Sequence, residues 1–283
     1  MKPWLLLSTL ALLRCSAFDL VLSRDVQIET DIPYSSLDQT EKHRMDLFRP
    51  SGSTRATVLF IHGGYWRNQD RRYFRPFTGL YSNVGLALAR RGITTAVMSY
   101  RLAPEASIED QLADIRAAAR TTARLAGAES IFLMGHSAGG HLALLAIADA
   151  RLRAAFPVPV HGVVALSPIL DIDHMARHQT EEFNRELTVP LFGTGASARA
   201  DFSPVSLLDS GAPPILVLVG GEDYEYIQEQ CAEGIPTLQS RSLSISFRTI
   251  ANLEHADMVL KIGTGGDPIS PVAGDFILEN AQH

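Results

Sequence analysis

The sequence predicts an α/β fold: one mostly parallel sheet of about eight strands with helices on both faces. Three observations carry this. Short apolar runs bounded by glycine ("ATVLFIHGG", "SIFLMG", "PPILVLVGG") lack the polar alternation of a half-exposed sheet, so they read as strands buried on both faces. Helical segments separate them, as crossovers between parallel strands require. The chain has 283 residues, 46% hydrophobic and 20% charged, which suits one large domain that buries its core without staples.

The elements follow in order. "VQIETDIPYSS" and "RMDLFRP" read as an antiparallel pair ahead of the parallel run. After "ATVLFIHGG", "NVGLALARRG" reads as a helix closed by Gly92. "ITTAVMSY" is a strand rich in β-branched residues. In "SIEDQLADIRAAARTTARLAG", Ile108, Leu112, Ile115 and Ala119 recur at helical spacing, and Gly127 marks the end. "SIFLMG" is followed by a helix in "GHLALLAIADARL". "VHGVVALSPIL" and "PPILVLVGG" are strands, "YEYIQEQCAEGIPTLQ" a helix, "SLSISFRTI" the last strand and "SPVAGDFILENAQ" the last helix. Residues 171–212 are longer and less regular than the other connections, as lid-like inserts and pocket walls are.

The first 17 residues have the outline of a secretory signal: Lys2, an apolar run from Trp4 to Leu13, and small residues before a cut after Ala17. The run is too short to span a bilayer as a helix, and no later run is apolar enough. Secretion or export is therefore expected, with residues 18–283 as one domain. An organelle-targeting leader and a cytoplasmic chain are the alternatives. No N-x-S/T sequon marks a glycosylated surface.

Net charge is -6 with no basic stripe, which argues against a nucleic-acid partner. The run Arg71–Arg72, with Arg67 and Arg75 nearby, reads as a solvated loop. Two cysteines, Cys15 and Cys231, exclude a disulfide framework and a cysteine metal site; Cys231 reads as a quiet thiol on a helix.

Sites in such sheets form at the carboxyl ends of the strands. There the sequence places "GHSAGGH", in which Gly135, Ser137 and Gly139 fit G-x-S-x-G between a strand and a helix. A serine on that sharp turn projects its hydroxyl at the sheet edge, and the next helix turns its positive end toward developing negative charge. The bland reading is a glycine turn with serine as a helix cap.

A serine hydroxyl needs a base, and the base needs an orienting carboxylate. After "ILVLVGG" come Glu222 and Asp223, and after "SISFRTI" comes His255. Asp223 is the first candidate for the acid. Glu222 and Asp257 are its rivals, although Asp257 has to fold back to reach a ring two residues away. His255 is the candidate base. His136 fills the variable position of the motif, and His141 reads as packing or bonding locally. His161, His174 and His178 have no motif context; no spacing resembles a zinc site, and neither a metal nor a cofactor is expected. Acyl transfer also needs preorganised N–H donors for the oxyanion. Ala138 supplies one. The loop "HGGYW" supplies the other through Gly63 or Gly64, with the N–H of Tyr65 also in reach; His62 braces the loop.

The set "HGGYW", "SYRLAPE", "GHSAGGHLA", "GGED" and "EHADM" resembles the α/β-hydrolase esterases with an HGG oxyanion loop, from about Val26 onward. The kynurenine formamidases (arylformamidases) and the carboxylesterases related to feruloyl esterases are the most similar branches. "YRLAPE" is similar to esterases of the hormone-sensitive lipase type, but His136 stands where that group carries an acid, and "ASIED" replaces its Phe-Pro-Ala step. The resemblance implies an α/β-hydrolase fold with Ser137 as nucleophile, Asp223 as acid, His255 as base, and Gly63, Gly64 and Ala138 as the oxyanion hole.

The expected activity is hydrolysis of small or aromatic carboxylic esters through an acyl-enzyme, with a small-molecule partner. The alternative is N-formylkynurenine hydrolysis, which needs a closed acyl pocket and an aromatic-lined side that Tyr65 and Trp66 can furnish. Packing of those two rings on the fold is the competing reading. A binding protein without catalysis is the alternative outside enzymes.

Overall fold

The eight strands of the sheet lie in the order β1-β2-β4-β3-β5-β6-β7-β8. They are β1 (Val26–Pro33), β2 (Arg44–Pro50), β3 (Ala56–Ile61), β4 (Ile93–Met98), β5 (Ile131–His136), β6 (Val160–Leu166), β7 (Ile215–Gly220) and β8 (Ile245–Ile250). The computed structural model describes residues 25–35, 40–73 and 79–281. The expected leader, with Cys15, lies outside the described residues.

β2 is antiparallel to both β1 and β4, and every pairing from β4 to β8 is parallel. Among the described strands, β2 is thus the one that is reversed. The chain runs from β3 outward to β4 on one side and returns to β5 on the other. That reversal is the topological switch point, where parallel sheets open a crevice beyond the strand ends. "HGG" follows β3 and "GHS" closes β5, so both motifs face it.

The central strands are buried along their whole length, and successive residues serve two separate cores. Leu59, Ile61 and Leu133 pack with helices α2 (Ile108–Ala126), α3 (Ala138–Leu145) and α5 (Glu225–Ser240) on one face. Val58, Phe60 and Met134 pack with α1 (Ser82–Ala89) and α6 (Ser270–Asn280) on the other. Between α3 and α5 lies α4 (Ile172–Arg177), the first of several short helices in the 171–212 connection.

Local signals explain the element ends. Ser107 and Asp110 form a reciprocal capping box at the start of α2, and Gly127 closes it in the left-handed conformation at φ 62°. The expected single helix in "GHLALLAIADARL" is instead two. α3 ends at Leu145, and a separate turn over Ala150–Ala154 starts where the Asp149 carboxylate caps the N–H of Leu152 at 2.7 Å. Asp149 competes for backbone donors, so it starts a helix better than it continues one. No helix among the described residues is long and apolar enough to cross a membrane.

Candidate active site

Ser137 stands between β5 and α3 with φ 55° and ψ -120°, a strained conformation for a non-glycine residue. Close packing on both sides holds it there. Its N–H donates to Leu166 O on β6 at 2.9 Å. A Cβ on Gly139 would stand 2.1 Å from the carbonyl oxygen of Ile61 and 2.4 Å from that of His62. The first turn of α3 therefore touches the end of β3 backbone to backbone, which only glycine permits. This contact sets the Ser137 turn beside the HGG loop.

The Asp223 carboxylate lies 2.8 Å from His255 Nδ1. Glu222 is exposed, and Asp257 accepts from the N–H of Glu254 in its own turn, so the acid that meets the histidine is Asp223. Both of its carboxylate oxygens are hydrogen-bonded although it is only 6% exposed. Oδ1 also accepts the Tyr224 N–H at 2.8 Å, and Oδ2 accepts the Ser167 hydroxyl. Burial pushes its pKa up, but the bonds from His255, Ser167 and Tyr224 outweigh burial and hold it below the usual carboxylate value.

His136, the variable residue of the motif, reaches the histidine loop. Its Nε2–H donates to the His255 carbonyl at 3.0 Å, and the two rings lie 4.7 Å apart. Burial, then the neighbouring His255 charge, lowers its pKa to about 3, so it is neutral. His136 thus ties the segment of Ser137 to that of His255, a role the motif alone does not announce.

In the HGG loop, Gly64, Tyr65 and Trp66 all have positive φ (106°, 52° and 59°). His62 braces the turn as expected: its ring stacks on Tyr100 at 4.3 Å, and Nδ1 lies 2.7 Å from Gly63 O. Burial above all lowers its pKa to about 4. Gly63 requires a correction. Its N–H donates to the Tyr81 hydroxyl at 3.2 Å, so it is committed within the fold. Among the described residues the N–H groups of Gly64, Tyr65 and Ala138 meet no acceptor. Gly64 and Tyr65 are partly exposed, whereas Gly63 is buried.

The two loop aromatics separate. Trp66 is fully buried, donates Nε1–H to His141 Nδ1 at 3.2 Å, and packs edge-on against Phe192 at 4.9 Å. It belongs to the core, which overturns its expected place in a substrate pocket. His141 completes this chain by donating Nε2–H to Phe202 O at 2.8 Å, and burial lowers its pKa to about 4. Tyr65 instead joins an aromatic surround. It meets Phe183 of the insert at 5.3 Å, and its hydroxyl lies 3.4 Å from that of Tyr226. Tyr224 stacks on Tyr226 at 5.7 Å and tilts over the His255 ring at 4.8 Å.

One further expectation is corrected. Arg71 is not in a solvated loop: it is 2% exposed and binds Asp31, Glu41 and Asp46, with Arg72 beside it on Asp31 and Asp46. This ion cluster fastens the segment after "HGGYW" to the β1–β2 pair. His174, His178 and Glu229 also come together, with their ligand-capable atoms within 4.8 Å of one another. The signal was present as His-x-x-x-His, but α4 was hidden in a segment read as irregular, so the spacing had no helix to sit on. Cys231 is buried on α5, and burial pushes its thiol up to about 12.

A switch-point crevice holding a strained serine turn, an HGG loop and an Asp–His pair on successive strand ends defines an α/β-hydrolase. The BD-FAE family model matches residues 45–234, and the chain belongs to that family. It is similar to kynurenine formamidase of Danio rerio, 22% identical, over 81% of this chain and 75% of that protein. It is also similar to the isoprenylcysteine alpha-carbonyl methylesterase ICME of Arabidopsis thaliana, 26% identical over 83% of this chain, of which it spans 58% of the length. Esterase B from Lactobacillus rhamnosis has the same fold, with a TM-score of 0.72 at 21% identity over 98% of this chain and 94% of that one. The chain is thus a hydrolase of the esterase and formamidase kind.

Proposed function

We propose that this hydrolase cleaves carboxylic esters through an acyl-enzyme on Ser137. The observation that carries the reading is the 2.8 Å contact between His255 Nδ1 and Asp223, on a histidine whose carbonyl is held by the residue before Ser137. Asp223 fixes the tautomer that presents Nε2 as base and stabilises the imidazolium. Ser137 Oγ attacks the carbonyl carbon and its proton passes to His255 Nε2. The oxyanion is met by the N–H of Ala138 and by Gly64 and Tyr65. Collapse expels the alkoxide, which takes the proton from His255 and leaves as alcohol. Water, deprotonated by His255, then releases the carboxylic acid and restores the serine.

A second reading is hydrolysis of N-formylkynurenine. It is favoured by the linked rings of Phe183, Tyr65, Tyr226 and Tyr224, the last tilting over His255, which suit an aromatic leaving group, and by the formamidase relative.

A fluorophosphonate probe tests the mechanism. The wild type is labelled and Ser137→Ala is not; an unlabelled wild type, or equal labelling of the variant, removes the serine-hydrolase reading. Comparing kcat/KM on p-nitrophenyl acetate, p-nitrophenyl butyrate and N-formylkynurenine separates the two substrates. Formamide turnover lower by several orders of magnitude eliminates the second reading.

A further inference from the structure

His174 lies on α4 and His178 caps its C-terminal end, while α5 brings Glu229 against both. The Nε2 atoms of His174 and His178 each lie 3.3 Å from Glu229 Oε2. The two imidazoles stack 4.6 Å apart at 22°. His174 is 8% exposed, yet its Nε2 has no hydrogen-bond partner among the described residues, because its contact with Glu229 is off the hydrogen-bond line. A buried ring nitrogen in that state is costly and calls for a ligand.

The tautomer of His178 sharpens the point. Its Nδ1 lies 2.9 Å from the carbonyl oxygen of His174, and only an N–H faces a carbonyl at that distance. The neutral ring therefore turns an Nε2 lone pair toward a carboxylate oxygen. Two acceptors this close repel unless a cation joins them. Metal-ligating histidines have this arrangement, with the second ring nitrogen donating to a backbone carbonyl. Two of the three spacings agree as well, since bonds of about 2.0–2.1 Å in a tetrahedral zinc site put neighbouring ligand atoms about 3.3 Å apart, as the two histidine–Glu229 pairs are, while all three ligand atoms lie within 4.8 Å of one another.

We propose that His174 Nε2, His178 Nε2 and the Glu229 carboxylate bind one divalent transition-metal ion of the zinc class. His178 and Glu229 are 38% and 42% exposed at the side chain, so the fourth coordination position faces solvent. Two imidazoles with one carboxylate suit Zn²⁺ and disfavour Ca²⁺ and Mg²⁺, which take oxygen ligands. The ion joins the insert to α5, the helix that begins two residues after Asp223. It clips the segment carrying Phe183 against the one carrying Tyr224 and Tyr226. A single proton on His178 is the competing occupant.

The test uses the full chain, treated with chelator and titrated with Co²⁺ and then Zn²⁺ at neutral pH. The expected result is one equivalent of Co²⁺ with the ligand-field absorption of a four-coordinate ion, displaced by Zn²⁺. His178→Ala and Glu229→Gln each weaken binding by at least about tenfold. Glu229→Gln preserves size, circular dichroism checks its fold, and the wild-type cobalt spectrum depends on no variant. Absence of saturable binding, a six-coordinate spectrum, or unchanged affinity in both variants overturns the site and leaves the proton as occupant.

Discussion

Ser167 donates its hydroxyl to the oxygen of Asp223 that His255 does not use. Ser167 sits just past β6 at φ 45°, and its N–H is anchored on Leu218 O at 2.7 Å. A serine from one strand end thus orients an acid from the next. Ser167→Ala strands a buried carboxylate oxygen, which costs about 1–3 kcal/mol of stability. On the mechanism proposed above it also lowers kcat on p-nitrophenyl acetate by about tenfold with KM unchanged. A change confined to KM would show that the bond does not orient the acid.

Trp66 and Tyr65 are neighbours with opposite expected phenotypes. Trp66→Phe deletes the bond to His141 Nδ1 in a closed core. It lowers the unfolding free energy by about 1–3 kcal/mol and leaves KM for aromatic esters unchanged. Tyr65→Ala acts in reverse: it raises KM for aromatic substrates and has the smaller effect on stability. Urea denaturation and steady-state kinetics on both variants make the check. A KM effect from Trp66→Phe equal to that of Tyr65→Ala would place the indole in the pocket after all.

Gly139→Ala drives a methyl into the carbonyls of Ile61 and His62, and backbone on both sides cannot swing away. The expected cost is on the order of 3 kcal/mol or more. Gly265 is the control, because nothing lies within 4 Å of a Cβ added there. Gly265→Ala leaves the unfolding free energy from urea denaturation within about 0.5 kcal/mol of wild type. Equal midpoints for the two variants would refute the close approach.

Three buried imidazoles set the acid limit of the fold. His62, His136 and His141 have folded pKa values of about 4, 3 and 4 against an ordinary 6.5. Below pH 6.5 the unfolded chain takes up protons that the folded one refuses. Stability is therefore intact above that value and falls as pH drops toward the folded values. Each ring contributes up to about 1.4 kcal/mol per pH unit in that window. Urea unfolding at pH 7, 6 and 5 measures the slope, which His141→Gln reduces. A flat profile would mean that these rings titrate alike in both states.

Residues whose meaning rests on chain order were readable from the sequence. The pairing of Asp223 with His255 is one such case: each follows an apolar run at a strand end, and parallel topology brings such ends together without further information. Residues whose meaning rests on a partner from elsewhere were not. Gly63 looks like a free donor until Tyr81, eighteen positions away, takes its N–H. Arg71 looks solvated because its acidic partners lie in the distant β1–β2 region. Trp66 is ambiguous in "HGGYW" because the ring filling the space beside it, Phe192, comes from an insert without periodicity. His136 shows the same limit, since its role depends on a carbonyl 119 residues away.

The approach of Gly139 to the carbonyl of Ile61 has one more consequence. Atomic radii, not any adjustable side chain, fix the gap between the serine turn and the loop that faces it. Point substitutions can break that gap but cannot tune it. The side chains free to vary lie instead in the aromatic wall, where Phe183 of the insert and Tyr226 of α5 meet Tyr65, and Tyr224 just before α5 tilts over His255. In this chain the mould can be exchanged while the casting bed beneath it keeps constant dimensions.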